Sequence, residues 1–226
     1  MTARRGKLIV FEGAEGVGKT TQIRRLDETL AARGIPRLLV REPGGTRVGD
    51  EIRRLLLDPR SELAPRTEAL LFMASRAELV DRVILPALAD GLIVVADRFF
   101  LSTYAYQIAG RGLDEGEVTR ANQFATDRLV PDLTILLRLS VADSLARTDS
   151  RGSRDRIEAA ADEFHQRVVA AFDRFADQNW QRGHPDWGPV VAVDAAGSVD
   201  TVAGAVLSVL EQTWPETFRP AVGSHP

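Results

Sequence analysis

Short apolar runs along this chain alternate with longer segments in which apolar residues recur at helical spacing. The short runs predict five buried strands, over residues 8–11, 37–41, 92–96, 133–139 and 190–194. The periodic segments predict helices over residues 20–33, 48–57, 65–89, 102–108, 115–126, 141–150, 155–182 and 198–213. Strands that alternate with helices through short connections are typical of a parallel sheet covered on both faces. The pattern therefore predicts an α/β fold.

The same pattern predicts how the chain is divided. No internal repeat or long linker interrupts residues 1–214, and 226 residues suit one domain with a full core. Residues 215–226 contain three prolines and little apolar content after Phe218, so we expect a loose C-terminal tail there. In the predicted helix over residues 155–182, four apolar residues at helical spacing are interpreted as core packing: Phe164, Val168, Phe172 and Phe175.

Charge and composition exclude some classes of protein. The formal net charge of −3 argues against a nucleic-acid binder whose affinity comes from phosphate neutralisation. The chain has no cysteine, which excludes disulfides and thiolate metal sites and is compatible with a cytoplasmic location. It also has no uncharged run of about 18 residues, so we expect a soluble protein with no membrane partner.

The strongest motif is a glycine-rich loop between the first predicted strand and the helix that follows it. Residues 6–23 read GKLIVFEGAEGVGKTTQI and contain the pattern GxxxxGK[ST]. Glycines let the backbone N–H groups of such a P-loop surround phosphate oxygens at a helix N-terminus. We expect Lys19 to reach the β- and γ-phosphates of ATP and the Thr20 hydroxyl to bind Mg²⁺. The residues expected to bind ATP are Gly13, Ala14, Glu15, Gly16, Val17, Gly18, Lys19, Thr20 and Thr21.

Two further groups predict a nucleotide acceptor site. The sequence REPGGT at residues 41–46 follows the second strand, at the sheet edge where open α/β folds bind ligands, although alone it is equally a tight turn. Phe72 and Arg76 are four residues apart on one predicted helix face. An aromatic ring there would stack on a nucleobase, and a donor-only guanidinium would favour the O4 atom of thymine or uracil over the amino group of cytosine. Without the neighbouring motifs, a phenylalanine such as Phe72 is more often a core residue and an arginine such as Arg76 more often a solvated one.

The end of the third strand carries a third group. Asp97 is positioned like the acid that holds Mg²⁺ or its water shell in P-loop enzymes, and Arg98 is suited to bind a phosphate, although a structural ion pair is the alternative. On the helix that follows, side chains that present hydroxyl, phenol and amide groups are expected to face a base and sugar: Ser102, Thr103, Tyr106 and Gln107.

An arginine-rich segment is predicted to form a mobile lid over about residues 147–158. Arg147, Arg151, Arg154 and Arg156 stand there with Asp155 and Glu158, among glycine and serine. Mobile arginines that close over a transferring phosphoryl group stabilise its charge and exclude water. A solvated helix face is the alternative interpretation of such a charge run.

Taken together, these motifs closely resemble the thymidylate kinases, P-loop kinases that phosphorylate dTMP to dTDP in dTTP biosynthesis. The resemblance covers about residues 7–210 and includes FEGAEGVGKTTQ, REPGGT, GDEIRRLLL, EALLFMASRAELV, DRFFLSTYAYQIAGRGL, FATDRLVPDLTILLRL, DRIE and VDAAGSVDTV. It implies the three-layer α/β/α P-loop NTPase fold with a five-stranded parallel sheet, helices on both faces and a mobile lid. It also implies a homodimer.

The resemblance implies roles for individual residues. Glu15 approaches the dTMP sugar, Arg53 and Arg98 contact its phosphate, and Phe72 stacks on thymine. Arg76 and Gln107 read the base edge, and Tyr106 crowds the 2′ position against ribonucleotides. The residues expected to bind dTMP are thus Glu15, Glu42, Pro43, Arg53, Leu57, Phe72, Arg76, Arg98, Ser102, Thr103, Tyr106 and Gln107. Because Gly16 stands where one branch of the family has a catalytic arginine, the lid arginines are expected to act instead, as in the bacterial-type branch.

The expected reaction is direct, in-line transfer of the ATP γ-phosphoryl group to the dTMP phosphate, without a covalent intermediate or general base. The expected catalytic residues are Lys19, Asp97, Arg98 and Arg151, and Arg147 is assigned to ATP. Thr20, Asp97 and Glu158 are assigned to Mg²⁺, directly or through water. The lid is less regular than is usual in the family, since Thr148 and Asp149 separate Arg147 from Arg151.

Three departures from the family pattern affect details of the site. Leu101 and Ser75 stand where acidic residues are frequent, and Arg138 stands where an aspartate is usual. The change at Ser75 bears on how Arg76 is supported, and therefore on base specificity.

Two other functions remain open at this point. A kinase for another nucleoside monophosphate or a deoxynucleoside would share the P-loop and lid but lack Phe72, Arg76 and Gln107 as a set. A P-loop GTPase or ATPase switch would share only the loop. Residues 149–152 do form DxxG, but no NKxD guanine motif follows.

Overall fold

The computed structural model describes residues 5–140 and 155–219. Within them, five strands form one sheet in the order β2-β3-β1-β4-β5, and every neighbouring pair is parallel. The strands are β1 (Lys7–Glu12), β2 (Arg37–Arg41), β3 (Ile93–Asp97), β4 (Leu133–Arg138) and β5 (Val190–Asp194). All five predicted strands are confirmed to within one residue at either end. Because the strands are parallel, their carboxyl ends lie along one edge of the sheet.

Helices cover both faces of the sheet. They are α1 (Lys19–Ala32), α2 (Arg47–Leu57), α3 (Pro65–Leu79), α4 (Leu85–Ala89), α5 (Phe100–Thr103), α6 (Glu115–Ala125), α7 (Asp162–Phe175), α8 (Gln178–Gly183), α9 (Val199–Thr213) and α10 (Pro215–Phe218). A 3₁₀ turn spans Pro185–Trp187. The predicted three-layer α/β/α architecture is confirmed. The predicted helix over residues 141–150 lies outside the described residues.

Alternation along the central strand sends side chains into two separate hydrophobic layers. Leu8 and Val10 of β1 face a layer shared with α3 and α7, whereas Ile9 and Phe11 face a layer shared with α1 and α9. All four side chains are at most 1% exposed. The sheet therefore has no solvated face at β1, which is why this strand is an uninterrupted apolar run.

The helix predicted over residues 65–89 is one rod with a wider central turn. Val80–Ile84 form a π-helical segment between α3 and α4. Pro86 lies two residues after this segment, and a proline inside a helix lacks an N–H donor and crowds the carbonyl group four residues earlier. The wider turn accommodates that proline. A second π segment, Tyr104–Gly110, continues α5 into the candidate site.

The prediction of a single helix over residues 155–182 is wrong. Residues 156–160 form turns, since the Asp155 carboxylate accepts hydrogen bonds from the backbone N–H groups of Ile157 and Glu158 at 2.9 Å each. Asp177 then starts a new helix, α8, by accepting from the N–H groups of Asn179 and Trp180. Aspartate side chains readily accept hydrogen bonds from nearby backbone N–H groups. Here these bonds interrupt the predicted helix although the apolar periodicity of the sequence continues. The core stripe within α7 is confirmed, with all four side chains buried.

The expected loose tail also needs correction. Pro215–Phe218 form the short helix α10, in which Phe218 is fully buried against the α1/α9 layer. The Arg33 guanidinium donates to the Phe218 carbonyl oxygen. These residues therefore belong to the packed fold, and residues 220–226 lie outside the described part of the chain.

Candidate active site

A cleft of about 820 Å³ opens at the carboxyl edge of β1, β2 and β3. All twelve residues that the sequence assigned to dTMP line it, and so do Lys19, Thr20, Thr21, Asp97 and Glu158. These residues come from the P-loop, the REPGGT segment, α2, α3, the helix after β3 and the segment before α7. The fold therefore brings the predicted donor and acceptor residues into one cavity.

The P-loop connects β1 directly to α1. Gly13 has φ 141°, and a Cβ atom on it would lie 2.5 Å from the Leu137 carbonyl oxygen of β4. Gly18 has φ 94° immediately before α1. A side chain is disfavoured at both positions, at Gly13 also by lack of space. Gly13 and Val17 do not line the cleft; the Val17 side chain is buried in the core below the loop.

The Lys19 ammonium group is buried beneath the loop. Its Nζ donates to the carbonyl oxygens of Gly13 at 2.9 Å and Ala14 at 2.8 Å. Burial and, to a smaller extent, the nearby Arg98 charge lower the pKa of Lys19 to about 8, against the opposing effect of Glu15, Asp97 and Glu12. Lys19 thus carries its charge at neutral pH and begins to lose it in mildly alkaline solution.

Hard oxygen ligands meet where the P-loop faces β3. The Thr20 hydroxyl donates to Asp97 Oδ2 at 3.2 Å. The described residues contain no group of three or more His, Cys, Asp or Glu side chains that could hold a metal alone. A hydroxyl and one carboxylate fit Mg²⁺, which is commonly held by one or two carboxylates together with substrate phosphates and water. Glu158 lines the same cleft, and its Oε2 accepts from the Asp155 N–H at 3.0 Å.

Arg98 stands at the junction between the P-loop and the helix after β3. Its Nη1 donates to Ser102 Oγ at 2.9 Å and to the Gly13 carbonyl oxygen at 3.3 Å. Its Nη2 donates to Glu15 Oε2 at 3.0 Å and to the Tyr106 hydroxyl at 3.3 Å. Burial works against the charge, but the surrounding Tyr106, Glu15, Glu12 and Asp97 raise the pKa of Arg98 above its ordinary value. Its backbone is left-handed at φ 73°, which directs the side chain across the cleft.

Glu12 is a residue of this site that the sequence reasoning missed. This last residue of β1 is fully buried, and its Oε1 accepts from the N–H groups of Phe99 at 2.8 Å and Ser102 at 3.0 Å. Its Oε2 accepts from the Ser102 hydroxyl at 2.6 Å, and that hydroxyl in turn accepts from Arg98. Burial raises the pKa of Glu12, although Arg98 and these hydrogen bonds oppose the shift. The only signal in the sequence was an acidic residue ending an apolar strand.

Phe72 and Arg76 both line the cleft, as their spacing predicted. Phe72 is half-buried, whereas Arg76 is only 1% exposed. The Glu42 carboxylate binds the Arg76 guanidinium through Nε at 2.7 Å and Nη2 at 2.6 Å. Further donors of Arg76 reach the Phe99 carbonyl oxygen, Thr103 Oγ1 and Asn122 Oδ1. The guanidinium is therefore held rigidly at the wall of the cavity.

Glu68 is a second residue that the sequence reasoning left without a role. This carboxylate of α3 is 1% exposed and accepts from Gln107 Nε2 at 2.9 Å. It also accepts from Arg111 and forms an ion pair with Arg156 at 2.7 Å. Arg156 additionally donates from Nε to the Leu56 carbonyl oxygen at 2.7 Å, so it joins the segment before α7 to the end of α2. Partners so distant in sequence leave no local pattern.

The three departures from the family pattern have simple structural explanations. Leu101 is buried in the core. Arg138 forms an exposed ion pair with Asp173 of α7 at 3.0 Å. Ser75 Oγ accepts from the Gly44 N–H at 3.0 Å and so fixes the REPGGT segment, while Glu42 supplies the carboxylate that binds Arg76. Support for Arg76 therefore does not depend on an acidic residue at position 75.

The predicted lid falls mostly outside the described residues. This applies to Arg147, Arg151 and Arg154, and with them to the assignments of Arg151 to catalysis and Arg147 to ATP. Arg53, which lines the cleft, donates to the Pro43 carbonyl oxygen at 2.9 Å.

Comparison with known proteins gives a consistent result. The family model "Thymidylate kinase" matches residues 11–183. The chain is 48% identical over 178 residues to a thymidylate kinase of Cutibacterium acnes, covering 78% of this chain and 86% of the relative. It is 42% identical over 217 residues to that of Lactobacillus delbrueckii subsp. bulgaricus, covering 94% and 99%, and 45% identical over 205 residues to that of Gloeobacter violaceus, covering 90% and 93%. In residues 5–140 and 155–219, no helix has the length and apolar character needed to cross a membrane.

Proposed function

The chain belongs to the thymidylate kinase family, and on that premise we propose how its cleft binds dTMP, ATP and Mg²⁺. As a dTMP kinase, it transfers the γ-phosphoryl group of ATP to dTMP and produces dTDP and ADP. The observation that carries the site proposal is the single cleft shared by the P-loop and the residues assigned to dTMP.

The acceptor site recognises the base, the sugar and the phosphate separately. Phe72 stacks on thymine, while Arg76 and Gln107 contact the edge of the base. Glu15 and Tyr106 contact the sugar, and the Tyr106 ring blocks a 2′-hydroxyl group. Arg53 and Arg98 bind the phosphate. This proposal is supported by the position of all these side chains in the wall of one cavity.

The donor site is the P-loop with Lys19. Backbone N–H groups of the loop and the start of α1 bind the ATP phosphates, and the Lys19 ammonium group neutralises their charge. Thr20 and Asp97 would hold Mg²⁺, with Glu158 acting directly or through water. Bound there, the ion neutralises phosphate charge, which is its usual contribution to phosphoryl transfer.

Catalysis depends on position and charge, because the acceptor phosphate is already a nucleophile. Arg98 lies between the P-loop and the acceptor residues, where its guanidinium reduces repulsion between the two anions. Arginine stabilisation of this kind contributes roughly 10³- to 10⁵-fold in rate in related phosphoryl transfers. No side chain needs to remove a proton. We assign Arg151 to the same task from the lid.

We also propose a cytoplasmic homodimer. Three neighbouring helices each expose a large apolar side chain: Leu55 of α2 is 46% exposed, Leu70 of α3 is 62% exposed and Phe124 of α6 is 92% exposed. Helix α3 packs against both α2 and α6, so these side chains belong to one flank of the molecule. Large exposed apolar residues gathered on adjoining elements mark protein contact surfaces. A second copy of the chain is the partner that the family implies.

The test of acceptor specificity is ADP production from Mg·ATP with dTMP, dUMP, UMP, dCMP, AMP, GMP and no acceptor in parallel. We expect dTMP to be the best acceptor, dUMP to be weaker and UMP to be poor because of its 2′-hydroxyl group. Turnover that prefers another monophosphate would contradict the proposed base pocket. Hydrolysis that exceeds transfer to every acceptor would favour a nucleotide switch.

A further inference from the structure

The Glu68 side chain lies behind the cleft and contacts one of its walls. It does not line the cavity, but Gln107, which does, donates from Nε2 to Glu68 Oε1 at 2.9 Å. Arg111 donates from Nε to the same oxygen at 3.2 Å and from Nη2 to Oε2 at 3.1 Å. The Arg156 guanidinium completes the group at 2.7 Å from Oε2. Both carboxylate oxygens therefore have positively charged neighbours.

These neighbours keep Glu68 ionised. Burial alone would raise the pKa of this carboxyl group, but hydrogen bonds from Arg111 and Gln107, together with the neighbouring Arg156 guanidinium, lower it below its usual range. An ionised carboxylate has no proton to donate and only accepts hydrogen bonds. Any amide that bonds to it must therefore do so through its nitrogen.

That requirement fixes the orientation of Gln107. The amide nitrogen faces Glu68, so the carbonyl oxygen is the end that remains for the cleft. Gln107 is 1% exposed, and turning the amide over would place its oxygen against the carboxylate. Thymine and uracil carry an N–H group at ring position 3, which matches a carbonyl oxygen. Cytosine carries an unprotonated nitrogen there, which does not.

We propose that Glu68 is a positioning residue that holds the Gln107 carbonyl oxygen towards the acceptor base and thereby selects bases with an N–H group at position 3. The inference rests on the proposed function, because it requires the acceptor base to bind beside Gln107. It adds a specific cause for discrimination against cytosine, separate from the Arg76 guanidinium. An unpaired buried amide group lowers affinity by roughly 5- to 150-fold.

The decisive variant is Glu68→Gln. An amide at position 68 offers both a donor and an acceptor, so Gln107 is no longer confined to one orientation. We measure kcat and KM for dUMP and dCMP, which share the sugar, the phosphate and the absence of a 5-methyl group. We expect the ratio of kcat/KM for dUMP over dCMP to fall about tenfold or more, mainly through KM. The matched control is Glu78→Gln, the same substitution elsewhere in α3. Glu78 forms an ion pair with the exposed Arg82, and this change should leave the dUMP/dCMP ratio unchanged.

A double-mutant cycle separates positioning from a general structural effect. If Glu68 acts through Gln107, then Glu68→Gln should not change the dUMP/dCMP ratio in a Gln107→Leu background. An equal change in both backgrounds would overturn the proposal. An unchanged ratio in a folded Glu68→Gln single variant would overturn it as well.

The exchange variant, with Glu68→Gln and Gln107→Glu together, keeps the net charge and a donor–acceptor pair. It therefore covers the case in which the single variant does not fold. Position 107 then presents an acceptor only, so uracil should again be preferred over cytosine, and loss of that preference would overturn the inference. Wild-type turnover of dTMP is measured alongside: its absence would overturn the proposed function together with the inference, whereas normal turnover with a failed ratio test would overturn the inference alone.

Discussion

At the scale of single residues, the site is governed by charges held in a buried environment. Lys19 and Arg98 both donate to the Gly13 carbonyl oxygen, and Arg98 also contacts Glu15 and Ser102. Their side-chain chemistry was predictable because the motifs specify it. Their supports were not, since Glu12 and Glu68 act on residues 39 or more positions away in the chain. Only the fold brings such pairs together.

The pKa of Lys19 leads to a prediction about ATP. Burial lowers this pKa from 10.5 to about 8 in the free enzyme, so Nζ loses its positive charge as the pH rises through that value. Affinity for Mg·ATP should therefore be constant near neutral pH and weaken above about pH 8, by up to about tenfold per pH unit. Calorimetric titration across this range measures the effect.

The matched control is Lys19→Arg, whose guanidinium stays charged throughout the range. Whatever affinity that variant keeps should show no inflection near pH 8. A wild-type affinity that stays flat to strongly alkaline pH would contradict the assignment of Lys19 to the ATP phosphates.

At the scale of secondary-structure elements, local sequence patterns predicted well where strands and helices lie. They predicted poorly where a helix is interrupted. All five strands were predictable as short apolar runs, and the three inner strands, β1, β3 and β4, are buried on both faces. The break between Asp162–Phe175 and Gln178–Gly183 was not, because the Asp177 cap competes with a helical period that continues through it. Nor were the π segments, which adjust to Pro86 and to tertiary contacts at the site. Apolar periodicity reports which face is buried, whereas capping decides where an element ends.

Two glycines give a paired test at this scale. Gly13→Ala should lower the free energy of unfolding by about 1–3 kcal/mol. The reasons are that φ at this position is positive and that the new methyl group would lie 2.5 Å from the Leu137 carbonyl oxygen. Gly204→Ala should raise it by about 0.5–1 kcal/mol, because this exposed position in α9 has open space and helical geometry. Urea denaturation measures both. Equal effects would show that the P-loop conformation is not set by Gly13.

At the scale of the whole molecule, one flank of the sheet carries the proposed dimer surface and the carboxyl edge carries the cleft. The cleft draws residues from the P-loop, α2, α3, the helix after β3 and α7. Helices α2 and α3 supply both Leu57 and Phe72 to the cleft and Leu55 and Leu70 to the exposed flank. The two surfaces are therefore built on the same pair of helices.

Introducing charge on this flank should separate the dimer. Leu70→Glu with Phe124→Glu would place carboxylates where two apolar side chains meet a second copy, and we expect a monomer by sedimentation velocity. Val199→Glu, at a 47% exposed apolar residue of α9 on the other face of the sheet, is the control and should leave the assembly unchanged. A monomeric wild-type protein, or a dimer that survives both charges, would contradict the proposed surface.

The Gly13 carbonyl oxygen has one more consequence for the enzyme. It accepts from Lys19, assigned to the donor nucleotide, at 2.9 Å and from Arg98, assigned to the acceptor, at 3.3 Å. If one of these two side chains turns towards its substrate, the other no longer shares the Gly13 carbonyl oxygen. The electrostatic environment of the remaining side chain then changes. We therefore expect affinity for one nucleotide to depend on occupancy by the other, and thermodynamic linkage requires the factor to be the same in both directions. A single backbone atom would then couple the two binding equilibria.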